Sequence, residues 1–575
     1  MGEKLSRYTV PAEIRKLKPT DIPCLWKTIF SSDGNPHYYL YEQKRIPDPR
    51  RPGKLKNASG ACIGKFEGGS LVMNEKGRTL YPDRTIPSIS SSATVKLKYQ
   101  DLQTKDYGEY AVVISASGSV LDRLLKYFEA EDAIRLYAMS VVYFVANYVP
   151  AGYFNDIFDQ SILSSKWPTL PMSENSVGEF LETLGRHPVA CEHYSQSLIN
   201  DGGELTAIDG HVILSCSSHN DLADYGNKYN LLGGTQVNVV QMYDVENGRP
   251  LASCAFDGGI NDMTSVKHFF EAYSFQKKTF LVDRGFYSEP NLEMYRKNEN
   301  HFVIPVPSGK LYDAAVRDLS FSNSFVYEGK DSFGQIRHDA IMYRNYTVGE
   351  LEKKDYDDRV AEEEHRYAIE LEKHEESGCR KPKHRTIKPE TYSVFKDDQI
   401  LVYRDETVHA AMIKEYREKI GVENGYTEEG LQADQESFGV FVLRTDRKQD
   451  TAEEVFLKYK KRWSIETHYN YLKNSLDFKG LRTQNYYVMQ GLSFISVVVG
   501  QVHAAYKKRK KSTSSSYVRN LSIKESLIKA AHLKITQHQD KNWYISINKS
   551  KSMELMTEMG VSIEKEMEKL NTGMY

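Results

Sequence analysis

The chain has 575 residues, which exceeds one ordinary domain and predicts roughly three or four compact units. Its 40% hydrophobic and 27% charged residues are those of a globular protein. A net charge of −2 excludes a global basic field, so any contact with nucleic acid has to come from local patches. The six cysteines lie far apart with no CxxC pair, which argues against a structural zinc and for free thiols in a reducing compartment.

Residues 1–110 mix short strand-like runs with turns and predict a β-rich module with a possible role in binding DNA ends. Its loop IPDPRRPGKLKN (46–57) carries Arg50, Arg51, Lys54 and Lys56, a set able to follow a phosphate backbone or simply to face water. Residues 111–200 predict a helical domain. SVLDRLLKYFEAEDAIRLYAMSVVYFVANYV has apolar residues at helical spacing, with Ser117 or Ser119 as its cap, and SENSVGEFLETLGR is expected to end at Gly185. The Met1 end has no signal-peptide pattern, and the apolar runs 141–154 and 492–506 are read as core segments too short to span a bilayer.

Residues 201–307 read as strand, strand, strand, helix, strand, helix, strand. ELTAIDGHVILSC (204–216) holds Asp209 in the middle of a strand. The next two strands form a hairpin around Glu246-Asn247-Gly248. KTFLVDRGFYS (278–288) is a strand ending in Asp283, followed by Arg284, and Ser288 caps the next helix. A three-strand meander followed by alternating helices and strands is the plan of a ribonuclease-H-like core. Residues 308–435 interrupt it as an insertion. They include a charge-dense helix (352–376) and a basic stretch, CRKPKHRTIK (379–388). Residues 436–510 resume the core, and 511–575 form a C-terminal helical unit that follows the basic run KKRKK (507–511), which is read either as a contact to DNA backbone or as a charged linker.

The stretch YKKRWSIETHYNYLK lies in the second part of the core. Its helix formers place Tyr459, Arg462, Glu466 and Lys473 on one helical face. One carboxylate among cations and a phenol suits a phosphate-and-metal site, although a solvated face of ion pairs has the same pattern. Trp463 is read as a core residue, His211 as packed or partly exposed, and Arg284 either as a phosphate contact or as part of a local ion pair. In a ribonuclease-H-like core Asp209, Asp283 and Glu466 converge. Three carboxylates at one point repel one another unless cations lie between them, and hard divalent ions with oxygen ligands meet that need.

Tyr459-x2-Arg462-x3-Glu466-x6-Lys473 resembles the YREK signature of bacterial insertion-sequence transposases of the DDE type, the superfamily founded on the fourth catalogued insertion sequence. Asp209-Gly210 and LVDRGFYS around Asp283 look like that family's first and second acidic blocks. GGINDMT (258–264) is similar to another of its blocks but has Gly259 where the family carries Asn. The resemblance implies an α/β fold: a ribonuclease-H-like catalytic core interrupted by a β-rich insertion, with a β-rich N-terminal module and helical flanking domains. It implies Mg²⁺-dependent cut-and-paste transposition with two ions, Mn²⁺ able to substitute, on double-stranded DNA: element terminal repeats and target. It also implies a homodimer in the DNA complex, no membrane, and a bacterial or archaeal cytoplasm with nucleoid association. Asp209, Asp283 and Glu466 are carried over as catalytic metal ligands, and Tyr459, Arg462 and Lys473 as phosphate contacts. A transposase-derived DNA-binding protein that no longer cuts, and a ribonuclease-H-like nuclease that cuts without joining, are the alternatives.

Overall fold

The computed structural model describes residues 10–31, 34–48, 53–82, 103–147, 149, 151–215, 217, 220–226, 234–260, 262–317, 319–330, 334–388, 397–475, 480–481, 485–538, 541–545 and 550–573. The chain divides into two compact units, Met1–Lys98 and Tyr99–Tyr575.

In the first unit, β1 (Cys24–Phe30), β2 (Pro36–Pro47), β3 (Leu55–Glu67) and β4 (Ser70–Met73) form an antiparallel sheet in that order. Ile22, Cys24, Leu40, Ile63 and Met73 make its small core. Lys54 and Lys56 are exposed at the β2–β3 hairpin, while Arg50 and Arg51 lie outside the described residues.

The second unit opens with β5 (Gln103–Asp106) and helices α1 (Gly108–Leu124) and α2 (Ala130–Ala146). Ser117 caps nothing. It is buried inside α1, where its hydroxyl donates to the Val113 carbonyl at 2.6 Å and meets the Tyr137 hydroxyl at 2.8 Å. Apolar residues on both sides of the serine extend the helix nine residues ahead of it, so its hydroxyl bonds back to the preceding turn. α3 (Glu174–Arg186) and α4 (Val189–Asn200) follow. Gly185 does not terminate α3. It lets α3 touch α5 (Tyr486–Lys511): a Cβ at Gly185 would lie 2.0 Å from the Tyr487 carbonyl oxygen, and one at Gly491 2.2 Å from that of Leu181.

α5 is longer than the apolar run suggested. By length and composition it suffices to cross a membrane, yet 67% of its most apolar window is buried inside this fold. Its basic end is neither a linker nor wholly free. The Lys510 ammonium donates to the Val518 and Arg519 carbonyls, and Arg509 donates to those of Glu558 and Met559. Those cations satisfy orphan carbonyls where the chain turns. The C-terminal stretch also contains strands: β16 (Lys534–Gln537) and β17 (Trp543–Ile545) form a three-stranded sheet with β5.

The central sheet has ten strands among the described residues. β6 (Leu205–Ser215), β7 (Gln236–Asp244) and β8 (Arg249–Asp257) form the meander, and β9 (Thr279–Val282) and β10 (His301–Pro305) run parallel to β6. β11 (Asn323–Lys330), β12 (Ile336–Thr347), β13 (Gln399–Asp405) and β14 (Val440–Thr445) continue it, giving the order β11-β12-β13-β14-β10-β9-β6-β7-β8. β15 (Gly480–Leu481) pairs with the far end of β6. The insertion is therefore mixed rather than β-rich. Its three strands extend the main sheet; a 30-residue helix, Val348–Ser377, stands between β12 and β13, and the helices Glu406–Lys419 and Glu428–Asp434 follow β13. Thr347 and Glu350 form a capping box that starts the long helix, and Gly378 ends it at φ 64°.

The two sheet faces bury different clusters. Ile208, Phe280, Val282 and Phe302 face the helical side with α5. Ala207, Leu281, Val303 and Leu443 face Val455, Phe456, Ile465 and Tyr469 of the helices Ala452–Lys461 and Trp463–Ser475. Strand alternation makes that choice.

Candidate active site

Asp209 is the fifth residue of β6, and Asp283 follows the last residue of β9. Ile208 pairs with Val282 in parallel register, so the two aspartates are the next residues on neighbouring strands. Both share the parity of Ala207 and Leu281 and so face the two signature helices. β9 stops pairing there while β6 runs on, which leaves the edge of β6 beyond Asp209 open until β15 joins it at Leu214. Asp283 turns into the short helical turn Arg284–Phe286, and Arg284 is exposed beside it.

The third carboxylate comes from the opposite layer. The signature stretch is two helices, not one: Ala452–Lys461 ends with Arg462 as its C-cap, and Trp463–Ser475 follows. At the joint the Arg462 N–H donates to the Tyr459 carbonyl, and the Ile465 N–H to that of Arg462, three residues apart in each case. Tyr459, Arg462 and Glu466 nevertheless meet. The Arg462 Nη2 donates to Glu466 Oε1 at 2.7 Å, its Nη1 lies 3.8 Å from Asp209 Oδ2, and its guanidinium sits 5.7 Å from the centre of the Tyr459 ring. Lys473 lies on the second helix, but its side chain falls outside the described residues.

Two residues escaped the sequence reading. The Tyr469 hydroxyl donates to the Asp209 backbone carbonyl at 2.6 Å, fastening the Glu466 helix to β6. Its spacing of three from Glu466 was the available signal. His211 packs on the Tyr469 ring at 5.3 Å between centroids. The second is Arg444, wholly buried on β14. It donates to the Tyr287 hydroxyl at 2.6 Å, to Glu289 at 2.8 Å and to Asp398 at 2.9 Å, so it braces the segment just after Asp283. Trp463 is not a core residue; it is 68% exposed. The helix buries Ile465, His468 and Tyr469, and Trp463 projects from the other side.

Charge decides what this place can hold. Burial pushes the Asp209 carboxyl up to about 7, Arg462 pulls it down, and the neighbouring Asp283 and Glu466 push it up again. Burial likewise raises the Tyr459 phenol to about 12. Three carboxylates against one guanidinium leave an excess of negative charge. Among the described residues no three His, Cys, Asp or Glu side chains stand close enough to enclose an ion, and Arg462 reaches from Glu466 to Asp209. The donor set itself, all carboxylate oxygen and partly desolvated, fits hard divalent cations once Arg462 gives way.

The model of the transposase DDE domain family matches residues 200–487, just over half of the chain, and the chain belongs to that family. Its function is that of a DNA transposase, an enzyme of DNA cleavage and strand transfer, and members of this class use divalent metal ions. None of the curated proteins matches it. Among solved structures, the cryo-EM structure of a piggyBac transposase synaptic complex with hairpin DNA is similar at 9% identity and a TM-score of 0.36, covering 75% of this chain and 82% of that one.

Proposed function

We propose that Asp209, Asp283 and Glu466 are the catalytic carboxylates of an Mg²⁺-dependent cut-and-paste transposase of the YREK-signature superfamily, carried on a ribonuclease-H-like core. The strand order β8-β7-β6-β9-β10, with β7 alone running against the other four, supports the core. The observation that carries the site is the Ile208–Val282 register together with the reach of Arg462 from Glu466 to Asp209. When bound, two Mg²⁺ ions, or Mn²⁺ in their place, would be held by the three carboxylates and stabilise the attacking and leaving oxygens of an in-line displacement at phosphorus.

The protein's own groups position the DNA. Arg462 exchanges its carboxylate partners for phosphate oxygens of the scissile strand, with Tyr459 packed beneath it, and Lys473 and Arg284 contact the same backbone. Water attacks phosphorus at each element end and the P–O3′ bond breaks, freeing a 3′-OH and leaving a 5′-phosphate. That 3′-OH then attacks a target phosphodiester, whose own 3′-oxygen leaves, so one phosphodiester replaces another. Joining two ends needs two active sites, which favours a homodimer in the DNA complex, acting on the nucleoid of a bacterial or archaeal host.

Glu466→Gln tests this reading. With duplex carrying the element end and Mg²⁺, the variant should keep a gel-shift complex and lose nicking. Cutting at the wild-type rate would overturn the assignment of Glu466. The non-cutting alternative predicts no nicking by the wild-type protein, and the nuclease alternative predicts nicking without strand transfer.

A further inference from the structure

Outside the catalytic centre, the segment 379–388 carries five cations (Arg380, Lys381, Lys383, Arg385 and Lys388) and His384 in ten residues with no acid. It follows the helix Val348–Ser377, whose buried residues are Val348, Leu351 and Glu363. The base of that helix packs on the sheet, with Val348 and Leu351 in the cluster of Ile400 and Val402. Beyond Glu363 it is flanked by the segment itself.

The segment doubles back as an extended strap. The Arg385 N–H donates to Glu363 Oε1 at 2.8 Å, Arg366 donates to the Lys383 carbonyl at 3.3 Å, and the Tyr367 and His384 rings meet edge to face at 4.9 Å. His374 contacts the Cys379 carbonyl at the turn. Glu363 to Ser377 rises about 21 Å along a helix, and seven extended residues reach about 23 Å, so the strap is stretched along the helix with little slack.

The strap is held by its backbone, one ring and the attraction between Arg385 and Glu363. Among the described residues Arg380, Lys381, Lys383 and Lys388 are exposed and make no ion pair, although the helix beside them carries twelve acids against five Lys and Arg. An electrostatic sheath for that helix would pair them. Those four cations are left facing solvent, where a polyanion can reach them.

We propose that this strap is a docking surface for the phosphate backbone of duplex DNA away from the reacting phosphodiester. The partner rests on the DNA function above. Backbone contacts of this kind release counterions and carry no base sequence. Because such contacts carry no base sequence, the occupant is duplex of arbitrary sequence, as target DNA is.

The test uses the full chain with Arg380, Lys381, Lys383 and Lys388 all changed to Ala. Affinity is measured against salt on a duplex carrying the element end with adjoining interior sequence, and on an unrelated duplex. The expected change is a shallower dependence of log K on log salt, by about 2 to 4, and roughly tenfold or more weaker binding at low salt. The loss should appear on both duplexes alike, and a loss confined to the element-end duplex would overturn the proposal. An unchanged slope on both overturns the proposal while leaving the DNA function standing. Wild-type protein that bound neither duplex would sink both. Should the variant not fold, acetylation footprinting of the wild-type protein decides. Lys381, Lys383 and Lys388 should be protected by duplex, and equal labelling with and without DNA rejects the docking surface.

Discussion

Arg462 and Glu466 are joined at 2.7 Å across the break between the two signature helices, and the same guanidinium reaches Asp209 at 3.8 Å. On the function proposed above, Arg462 thereby competes with a divalent ion for the place between the two carboxylates. Two anions and one cation share a partly buried point, so removing the cation leaves uncompensated repulsion.

Arg462→Ala should therefore act in two directions. End cleavage should fall by two orders of magnitude or so, since a charge-assisted phosphate contact is lost. Mn²⁺ binding to the DNA-free protein should tighten several-fold, because the ion no longer competes with the guanidinium. Calorimetric titration with Mn²⁺ checks the second effect. Weaker ion binding in the variant would mean that Arg462 organises the carboxylates and does not compete for them.

Tyr469→Phe removes the 2.6 Å hydrogen bond to the Asp209 carbonyl. The ring and its packing on His211 stay. Stability should drop by about 1 kcal/mol. Cleavage should suffer more than DNA binding, because the bond sets the distance between the Glu466 helix and β6. A denaturant melt with single-turnover nicking measures both. Equal losses in binding and cleavage would argue against a positioning role.

Arg444→Met should be among the most damaging core substitutions. It strands Asp398, which is then left with Arg296 at 2.9 Å, and it releases Tyr287 and Glu289. Breaking a buried ion pair in this way costs about 3–5 kcal/mol. The expected reading is a thermal midpoint lower by many degrees. If the variant still folds at low temperature, the segment after Asp283 should show the fastest amide exchange.

His503 supplies a pH test away from the carboxylates. Burial, with help from Lys507, lowers its pKa to about 4, and its ring packs 5.8 Å from that of Phe144. An unfolded histidine titrates near 6.5, so below that pH the unfolded chain binds a proton that the folded one refuses. The stability tied to this group is full above about 6.5 and is lost as pH falls towards 4, at up to about 1.4 kcal/mol per pH unit. His503→Leu should make the acid limb of stability shallower. Circular dichroism melts between pH 4 and 8 would show it, and an identical limb in the variant would rule the group out.

Local signals in the sequence located much of the architecture. Alternation and the Glu246-Asn247-Gly248 turn mark the meander, and the apolar run into Asp283 marks the strand that ends there, because strand period and turn chemistry are properties of neighbouring residues. The pairing of Ile208 with Val282 is a different kind of fact. Residues 74 positions apart become neighbours only when the sheet closes, and no local pattern states the register. The same holds for Arg462 between Asp209 and Glu466, for the Tyr469 hydroxyl on a β6 carbonyl, and for Arg444 behind Asp283.

Where local reasoning erred, tertiary packing overruled it. Gly185 looked like a helix end and is a contact point for a crossing helix. Trp463 looked like core and faces outward because Ile465 and Tyr469 claim the buried side. The basic run 507–511 offered a DNA contact or a linker, and in place of a linker its Lys510 ties down carbonyls of the following turn. The sequence by itself determined which residue types are available and the elements that carry them, through propensity, period and caps. Only the tertiary structure decided which carboxylates share a face and which cation stands among them, since those depend on long-range burial and on Coulomb interactions that act through space, not along the chain.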